Sequence, residues 1–396
     1  MDLELLKEAR DTANQIQEAD IQTYVLKNRH KMQADFLHLV ADQWTARQKA
    51  RYKLPGWYAN PEVIYPAPLS VEQSSSEITA TYKARVFTDK KYHQLIDLTG
   101  GMGVDTSAFA RAHQQVSYVE RNEALTLVAQ HNFEALGFNN IKVINDDADN
   151  FLRSNPINAD THFYLDPARR DASKNKVFRI EDCEPNLLNI MHLLGDFMVK
   201  YSPMLDIKLA ISQLQSISEV HVVAVENEVK ELLFLNRNET DATRIVCVNF
   251  LNDGNAQEFS FDYVSEQSAQ VTFGLPQTHI YEPNAAILKA GAFRSIAEAF
   301  NLQKLAPNSH LYTSDIWIRD FPGRSFVCEA VCKFDKKEIL SKLPGNQANI
   351  STRNFPLKPD EVKKKLGLKD GGDAYLFATE NYQNQKVVLI CSKVKA

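Results

Sequence analysis

The 396-residue sequence predicts an α/β fold: a doubly wound, mainly parallel sheet with an N-terminal helical region before it and a small C-terminal α+β domain after it. The first observation is that short apolar runs alternate with segments of helical period between residues 93 and 270, as in repeated β-α-β units. The second is a glycine-rich turn, DLTGGMG (97–103), which follows the first apolar run and precedes a predicted helix. In such sheets the loops after the strands lie along one edge, where ligands bind.

The N-terminal region, residues 1–92, is predicted to be helical. Apolar residues recur at helical spacing up to about residue 50. LPGWYANPEVIYPAPLS (54–70) contains several prolines and glycines, which exclude long regular structure. VEQSSSEITATYKARVF (71–87) is predicted to be one helix with a capped N-terminus, from which Gln73, Ser75 and Ser76 could reach a ligand.

The core, residues 93–270, is predicted from apolar strands and the amphipathic helices between them. The predicted strands are QLIDL (94–98), QQVSYVE (114–120), NIKVIN (140–145), THFYLD (161–166), FMVKYS (197–202), EVHVVAVEN (219–227) and RIVCVNFL (244–251), with EFSFDYV (258–264) as a further one. The predicted helices are DTSAFARAH (105–113), NEALTLVAQHNFEALG (122–137), PNLLNIMHLLGD (185–196), LDIKLAISQL (205–214) and EVKELLFLNR (228–237).

The C-terminal part is predicted to contain a connecting subdomain, residues 271–320, and a small α+β domain, residues 321–396. In the small domain, strands surround the lysine-rich helix PDEVKKKLGL, and Cys328 and Cys332 are expected on one side of a strand. This domain has 14 Lys/Arg against 8 Asp/Glu, a balance that favours nucleic acid as a partner. The lysines that could contact phosphates, with one nearby arginine, are Arg353, Lys358, Lys363, Lys364, Lys365 and Lys369.

Composition excludes several classes of protein. With 44% apolar and 24% charged residues the chain is not mostly disordered. No signal peptide and no apolar run of membrane-spanning length is present, so we expect a cytoplasmic protein without a membrane partner. The five cysteines form no C-x-x-C pair and there is no H-E-x-x-H motif, so no metal site is predicted.

The glycine-rich turn is compatible with two cofactors. A dinucleotide requires G-x-G-x-x-G, and Thr106 stands where its third glycine would be. The pattern D-x-G-x-G-x-G, typical of sites for S-adenosylmethionine, fits as Asp97, Thr99, Gly101 and Gly103, with threonine in place of the first glycine. We therefore predict that Asp97, Thr99, Gly100, Gly101 and Gly103 bind S-adenosylmethionine, with a tight turn without a ligand as the alternative.

Further acids follow the next two strands. Glu120 ends the second strand, where a carboxylate can accept hydrogen bonds from both ribose hydroxyls, and Arg121 follows it. Asp147 and Ala148 follow the third strand, where a carboxylate and a backbone N–H can meet the adenine ring; Asp146 is an alternative partner. We predict a cofactor site that includes Glu120, Arg121, Asp147 and Ala148.

The order of DLTGGMG, Glu120, Asp147-Ala148 and DPARR (166–170) resembles the class I S-adenosylmethionine-dependent methyltransferases, which have a Rossmann-like sheet. The strings DPARR and KDGGDAYLFAT (369–379), with the segment from residue 54 to 83, are similar to a bacterial group with a C-terminal THUMP-like domain. The resemblance implies S-adenosylmethionine as the cofactor and RNA, such as tRNA or rRNA, as the partner.

The motif after the fourth strand contains the predicted catalytic residues Asp166, Pro167, Arg169 and Arg170. Methyltransferases of base amines have Asp/Asn-Pro-Pro-aromatic here, and two acceptors bind the amine while the aromatic residue stacks on the flipped base. Asp166 and the Pro167 carbonyl could be those acceptors. Ala168 replaces the second proline and Arg169 the aromatic residue, although a guanidinium can also stack on a base or bind a phosphate.

These observations predict an RNA methyltransferase. Three alternatives remain open: methylation of a small molecule or a protein, RNA binding without catalysis at a degenerate site, and an NAD-dependent oxidoreductase.

Overall fold

The computed structural model describes residues 2–17, 20–88, 94–158, 160–169, 179–237, 242–343 and 345–394, and at position 169 the backbone alone. The chain forms two compact units, Met1–Ile217 with Phe234–Glu239, and Ser218–Leu233 with Thr240–Ala396. The domain boundaries expected above (1–92, 93–270, 271–320 and 321–396) stay a prediction.

The first unit begins with short helices joined by turns. Its helices are α1 (Leu3–Asn14), α2 (Ile21–Asn28), α3 (Ala34–Lys53), α4 (Pro55–Ala59), α5 (Pro68–Gln73), α6 (Glu77–Val86), α7 (Val104–Ala110), α8 (Glu123–Ala135), α9 (Ala148–Ser154), α10 (Leu187–Ile190) and α11 (Ile207–Leu214). The single helix expected over 71–87 is wrong, because Ser74 ends α5 in an extended conformation and the Ser76 side chain caps α6.

A parallel sheet forms the core of the first unit. Its strands are β1 (Gln94–Asp97), β2 (Gln115–Glu120), β3 (Ile141–Asn145), β4 (Thr161–Leu165) and β7 (Phe197–Tyr201), and a separate pair is β5 (Ala168–Arg169) with β6 (Cys183–Glu184). The strand order β7-β4-β1-β2-β3 reverses its direction of growth between β1 and β4. Such a switch point opens a crevice at the carboxyl ends of the strands.

The second unit contains two sets of strands. Its strands are β8 (Glu219–Val225), β9 (Glu228–Asn236, whose last three residues belong to the first unit), β10 (Arg244–Phe250), β11 (Ala256–Phe261), β12 (His279–Pro283), β13 (Gln303–Lys304), β14 (Tyr312–Ser314), β15 (Gly323–Lys333), β16 (Asn349–Arg353), β17 (Ala374–Glu380) and β18 (Lys386–Lys393). Its helices are α12 (Tyr263–Ser268), α13 (Ala285–Ala290), α14 (Ser295–Ala299), α15 (Lys336–Lys342) and α16 (Pro359–Leu366).

Strand β8 pairs in parallel with β10, which pairs antiparallel with β11. Strands β12 to β18 form another sheet, in the order β13-β14-β12-β15-β18-β17-β16. Of the strand pairs described in this sheet, only β16 with β17 is parallel. The predicted α/β class, with a Rossmann-like, mainly parallel sheet and a small C-terminal α+β part, is confirmed.

Two predicted helices are wrong. The segment 228–237 is strand β9, entered through a two-residue turn in which Glu226 and Asn227 have φ of 53° and 63°, as in a tight β-hairpin. Leu232–Leu235 are all fully buried, and a short continuous apolar run cannot be assigned to helix or strand by period alone. The helix expected over 185–196 is reduced to α10 and a 3₁₀ turn, Met191–Leu193.

The expectation that Cys328 and Cys332 share one side of a strand is also wrong. The register of β15 against β18 shifts between Cys328 and Ala330, which marks a β-bulge. An extra residue reverses the alternation of side chains. Cys328 therefore packs with the Phe326 cluster, and Cys332 packs with Ile339 on the opposite face. None of the described helices is both long and apolar enough to cross a bilayer.

Candidate active site

The first unit has a cavity of about 610 Å³ at the carboxyl ends of β1–β4. Ten of the predicted site residues line it: Asp97, Thr99, Gly100, Gly101, Gly103, Glu120, Arg121, Asp147, Ala148 and Asp166. Further lining residues include Ser70, Gln73, Ser74, Ser75, Met102, Asp105, Asp146, Tyr164, Glu184 and Lys200. The ends of β1 to β4, the α5–α6 segment, β6 and β7 thus all contribute residues to one cavity.

The glycine-rich turn is packed so closely that two of its glycines have no room for a side chain. A Cβ at Gly100 would lie 2.2 Å from the Tyr118 ring, and one at Gly103 would lie 2.6 Å from the Phe133 ring. Gly103 also has φ of 86°, which L side chains rarely adopt. The Tyr118 hydroxyl donates a hydrogen bond of 2.7 Å to the Gly101 carbonyl. This packing leaves the cavity side of the turn open.

Asp97 and Thr99 join the end of β1 to the end of β4. The buried Asp97 carboxylate accepts hydrogen bonds from the Thr106 hydroxyl (2.6 Å) and the Thr99 backbone N–H (3.0 Å). The Thr99 hydroxyl accepts a 2.6 Å hydrogen bond from the backbone N–H of Asp166. Burial raises the pKa of Asp97 to about 7, against the opposing effect of these hydrogen bonds.

Glu120 holds the glycine-rich turn from the end of β2. One of its carboxylate oxygens accepts a 2.9 Å hydrogen bond from the Gly101 N–H, and the other accepts one of 2.8 Å from Asn122 N–H. Each oxygen keeps a further lone pair for a ligand. Arg121 points its guanidinium to Glu184, with 3.1 Å between Nη1 and Oε1.

The end of β3 forms a capped helix start at the cavity. The Asp147 side chain caps α9 by accepting a 2.9 Å hydrogen bond from the Asp149 N–H. The Asp147 N–H itself donates to the Asp146 carboxylate at 2.8 Å. Ala148 is the first residue of α9 and is buried. Asp146, weighed above as an alternative, also lines the cavity.

The end of β4 provides an ion pair that the sequence did not indicate. The Lys200 ammonium of β7 lies 2.5 Å from the Asp166 carboxylate, and both side chains are partly buried. Pro167 is buried and is not among the residues that line the cavity. The Arg169 side chain and all of Arg170 lie outside the described residues.

A buried charged network, also missed from the sequence, lies beside the turn. The Lys83 ammonium is 3.2 Å from the Asp105 carboxylate and donates a 2.9 Å hydrogen bond to the Ser75 hydroxyl. The hydroxyls of Ser75 and Tyr164 each donate to Asp105 at 2.8 Å. Although burial acts to raise it, the charge of Lys83 and then that of Lys200 lower the pKa of Asp105.

This network fixes the α5–α6 segment against the helix that follows the glycine-rich turn. Gln73 and Ser75, predicted near a ligand, line the cavity, whereas Ser76 caps α6 through a 3.2 Å hydrogen bond from Thr79 N–H. Lys83 lies on the buried side of α6 with Thr79 and Tyr82, and no pattern in the sequence places it there. Among the described residues, no group of His, Cys, Asp or Glu side chains could hold a metal ion.

Comparison with known proteins places these features in a family. A protein from Porphyromonas gingivalis W83, described as a "putative methyltransferase", has a crystal structure that matches with a TM-score of 0.90 at 32% identity, over 100% of both chains. The chain belongs to the family of this protein. Family models described as ferredoxin-like and THUMP domain-like match residues 279–322 and 323–393. In this chain the two matched domains follow the part that contains the glycine-rich turn.

More distant structures match only part of the chain. An rRNA methylase from Streptococcus thermophilus is 17% identical over 40% of this chain and 93% of its own, with a TM-score of 0.28. TrmK from M. capricolum, in complex with S-adenosyl-homocysteine, is 10% identical over 40% and 68%, with a TM-score of 0.32. No protein in the curated set matches this chain.

Proposed function

We propose that this protein is an S-adenosylmethionine-dependent methyltransferase that acts on RNA. The observation that supports this most is the charge of the cavity, which has seven carboxylates and two cationic side chains among the described lining residues. S-adenosylmethionine carries a sulfonium and an ammonium group, so Coulomb attraction to these carboxylates favours it. The same carboxylates would repel the pyrophosphate of a dinucleotide, which disfavours NAD.

The residues around the glycine-rich turn fit the parts of this cofactor. The turn, which has no side chain at Gly101, would accommodate the methionine part, and the Asp97 carboxylate would accept from its ammonium, directly or through water. Glu120 has lone pairs left for the ribose hydroxyls. Asp147 and the N–H of Ala148 would meet the adenine ring. When bound, the cofactor supplies an electrophilic methyl group.

Asp166 is the residue proposed to orient the methyl acceptor. Its carboxylate, with the carbonyl of Pro167, would accept the two N–H groups of an exocyclic base amine and turn the nitrogen lone pair toward the methyl group. Lys200 holds that carboxylate at 2.5 Å and so limits its rotation. In-line transfer depends chiefly on such positioning. Arg169 and Arg170 are proposed to contact the base or a phosphate.

RNA is the proposed substrate because of the C-terminal part of the chain. The THUMP-like match covers residues 323–393, and the segment from Phe321 has an excess of six positive charges. On α16, Lys364 and Lys365 are exposed, whereas Lys363 is engaged with Asp370 at 2.6 Å. Exposed lysines of this kind are available to RNA phosphates.

The cofactor proposal is tested by calorimetric titration with S-adenosylmethionine, S-adenosylhomocysteine and NAD. We expect saturable binding of the first two and none of NAD. Glu120→Ala should abolish binding, whereas Glu123→Ala, at the exposed acid that begins α8, should leave it unchanged. Binding of NAD alone, or of none of the three, would contradict the proposal.

The substrate is tested by transfer of a radiolabelled methyl group. Total RNA from cells that lack the gene is the acceptor, and protein and small-molecule fractions of the same cells are controls. We expect label in RNA, lost in Asp166→Ala while that variant still binds the cofactor. Label confined to protein or small molecules would identify another substrate class. Cofactor binding without any transfer would favour a non-catalytic protein.

A further inference from the structure

The second unit contains a cavity of about 350 Å³ that the proposed methyl transfer does not use. It lies beside the β8–β9 turn, the end of β10, the start of β15 and the loop after β14. Its wall combines carboxamides, cations, one tryptophan and a single acid, Glu226, whereas the first cavity has an acid-rich lining.

The floor of the cavity is a connected set of carboxamides. Asn249 accepts a 2.8 Å hydrogen bond from Asn227 N–H and donates one of 3.2 Å to Gln257. Gln257 also accepts from Asn284 at 3.3 Å and donates to the Gly323 carbonyl at 2.9 Å. Asn249 and Asn284 are almost fully buried. Because these groups satisfy one another, the floor is rigid before any ligand binds.

An aromatic platform stands at the rim of this cavity. The Trp317 side chain is 39% exposed, and the Arg319 guanidinium lies 5.9 Å from its ring centroid. Two hydrogen bonds fix the backbone on either side of Trp317. The buried Tyr281 hydroxyl donates to the Ile316 carbonyl and accepts from the Ile318 N–H, both at 2.8 Å. An exposed indole on a fixed backbone can stack on a planar ligand at little entropic cost.

The cations of the cavity differ in what they can bind. Arg324 is engaged with the buried Glu282 through a 2.9 Å hydrogen bond from Nε, and Arg353 binds the same carboxylate at 2.7 Å. Arg319 and Lys393 are exposed and make no ion pair with any residue that the structure describes. Two available cations beside an exposed indole suit a ligand that has both an aromatic plane and an anion.

We propose that this cavity binds one nucleotide of single-stranded RNA, with the base stacked on Trp317 and its phosphate held by Arg319 and Lys393. A nucleotide combines the required planar ring and anion, and its base edge would face the carboxamide floor. The proposal adds a second RNA contact to the proposed function, but binding at this site needs neither cofactor nor methyl transfer.

The test is fluorescence anisotropy of labelled eight-nucleotide RNA with the full chain and no cofactor. Trp317→Ala should weaken binding roughly 10- to 100-fold, and Trp317→Phe should retain most of it because a ring still stacks. Arg319→Gln and Lys393→Gln should each lower the slope of log affinity against log salt by about 0.7. Lys364→Gln with Lys365→Gln on α16 removes a separate proposed RNA contact, so it should lower the salt slope without reducing the quenching of Trp317 by RNA.

Free adenosine monophosphate distinguishes a nucleotide of RNA from a free nucleotide. We expect the mononucleotide to bind far more weakly than the oligonucleotide. RNA should quench the tryptophan fluorescence of the wild type, and should quench that of Trp317→Phe much less. The proposal is overturned if Trp317→Ala binds RNA like the wild type, if only the α16 variant loses binding, or if the mononucleotide alone binds. Gly103→Ala, which should lose the cofactor, is expected to bind RNA like the wild type. This result would show that RNA binding at the second cavity does not depend on the cofactor site.

Discussion

The Thr99 hydroxyl accepts a 2.6 Å hydrogen bond from the backbone N–H of Asp166 and lies 3.5 Å from the Asp97 carboxylate. One side chain therefore links the turn proposed to hold the cofactor to the residue proposed to orient the acceptor. Glycine, which usually occupies this position of the motif, could not form this link. We therefore expect the threonine to support a working site in place of the usual glycine.

Thr99→Val should separate cofactor binding from catalysis. It keeps the shape of the side chain but leaves the partly buried N–H of Asp166 without an acceptor, at a cost of about 1–3 kcal/mol. We expect a small change in cofactor affinity and a larger loss of methyl transfer, measured by calorimetry and radiolabel incorporation. Thr99→Ser is the control and should behave like the wild type. Equal effects of the two substitutions would refute the role of the hydroxyl.

Gly103→Ala should abolish cofactor binding because it combines two conflicts. Its φ of 86° costs a residue with a Cβ about 1–2 kcal/mol, and the added Cβ would lie 2.6 Å from the Phe133 ring. Gly137→Ala is a matched control, since it has φ of 79° and nothing within 4 Å of the added Cβ. Calorimetry should show binding lost in the first variant and kept in the second. Loss in both would point to general destabilisation.

The strand ends of the first cavity could be predicted from the sequence, and the contacts between them could not. Asp97, Glu120 and Asp147 each follow an apolar run, and parallel strands bring their ends to one edge. The Lys200–Asp166 pair joins strands that are neighbours in space but separated by the whole β5–β6 segment. No local pattern contains that pairing, because it depends on strand order.

A buried charge and a fully buried strand are also hard to predict from the sequence alone. Lys83 is fully buried, which is rare for a lysine without a partner, and its partner Asp105 lies in another helix. Strand β9 was predicted as a helix. Because Leu232–Leu235 are all buried, this strand lacks the alternation of apolar and polar residues that identifies a half-buried strand. For Lys83 the deciding neighbour is distant in sequence, whereas for β9 the period of a short apolar run does not separate strand from helix.

The raised pKa of Asp97 predicts how the affinity for the cofactor depends on pH. Burial raises that pKa to about 7, so in the free protein the carboxyl is largely neutral below pH 7 and ionised above it. If the ionised form binds the ammonium of the cofactor, affinity should rise with pH up to about 7, by nearly tenfold per unit below it. Calorimetry in buffers of different ionisation enthalpy should detect proton release on binding at pH 6.

The control for this pH dependence is Asp97→Asn, which keeps an oxygen for the Thr99 N–H but cannot ionise. We expect weaker binding with a flat pH profile. A profile that stays steep in this variant would assign the titration to another group.

The buried Lys83–Asp105 pair should stabilise the first unit far more than an exposed pair does. Lys83→Met leaves a buried carboxylate without its cation, which costs about 3–5 kcal/mol when one partner of a buried pair is removed. Lys49→Met removes the exposed partner of Glu72 and should cost about 0–1 kcal/mol. Thermal unfolding without cofactor should show a Tm lower by roughly 5–15 °C in the first variant only.

A double variant distinguishes the charge from the volume of the lysine. Lys83→Met with Asp105→Asn removes both charges and should recover part of the lost Tm, because no uncompensated carboxylate remains buried. Since Ser75 donates to Asp105 at 2.8 Å and lines the cavity, the single variant should also bind the cofactor more weakly. If Lys83→Met and Lys49→Met unfold at the same temperature, the network does not hold α6 to the glycine-rich turn.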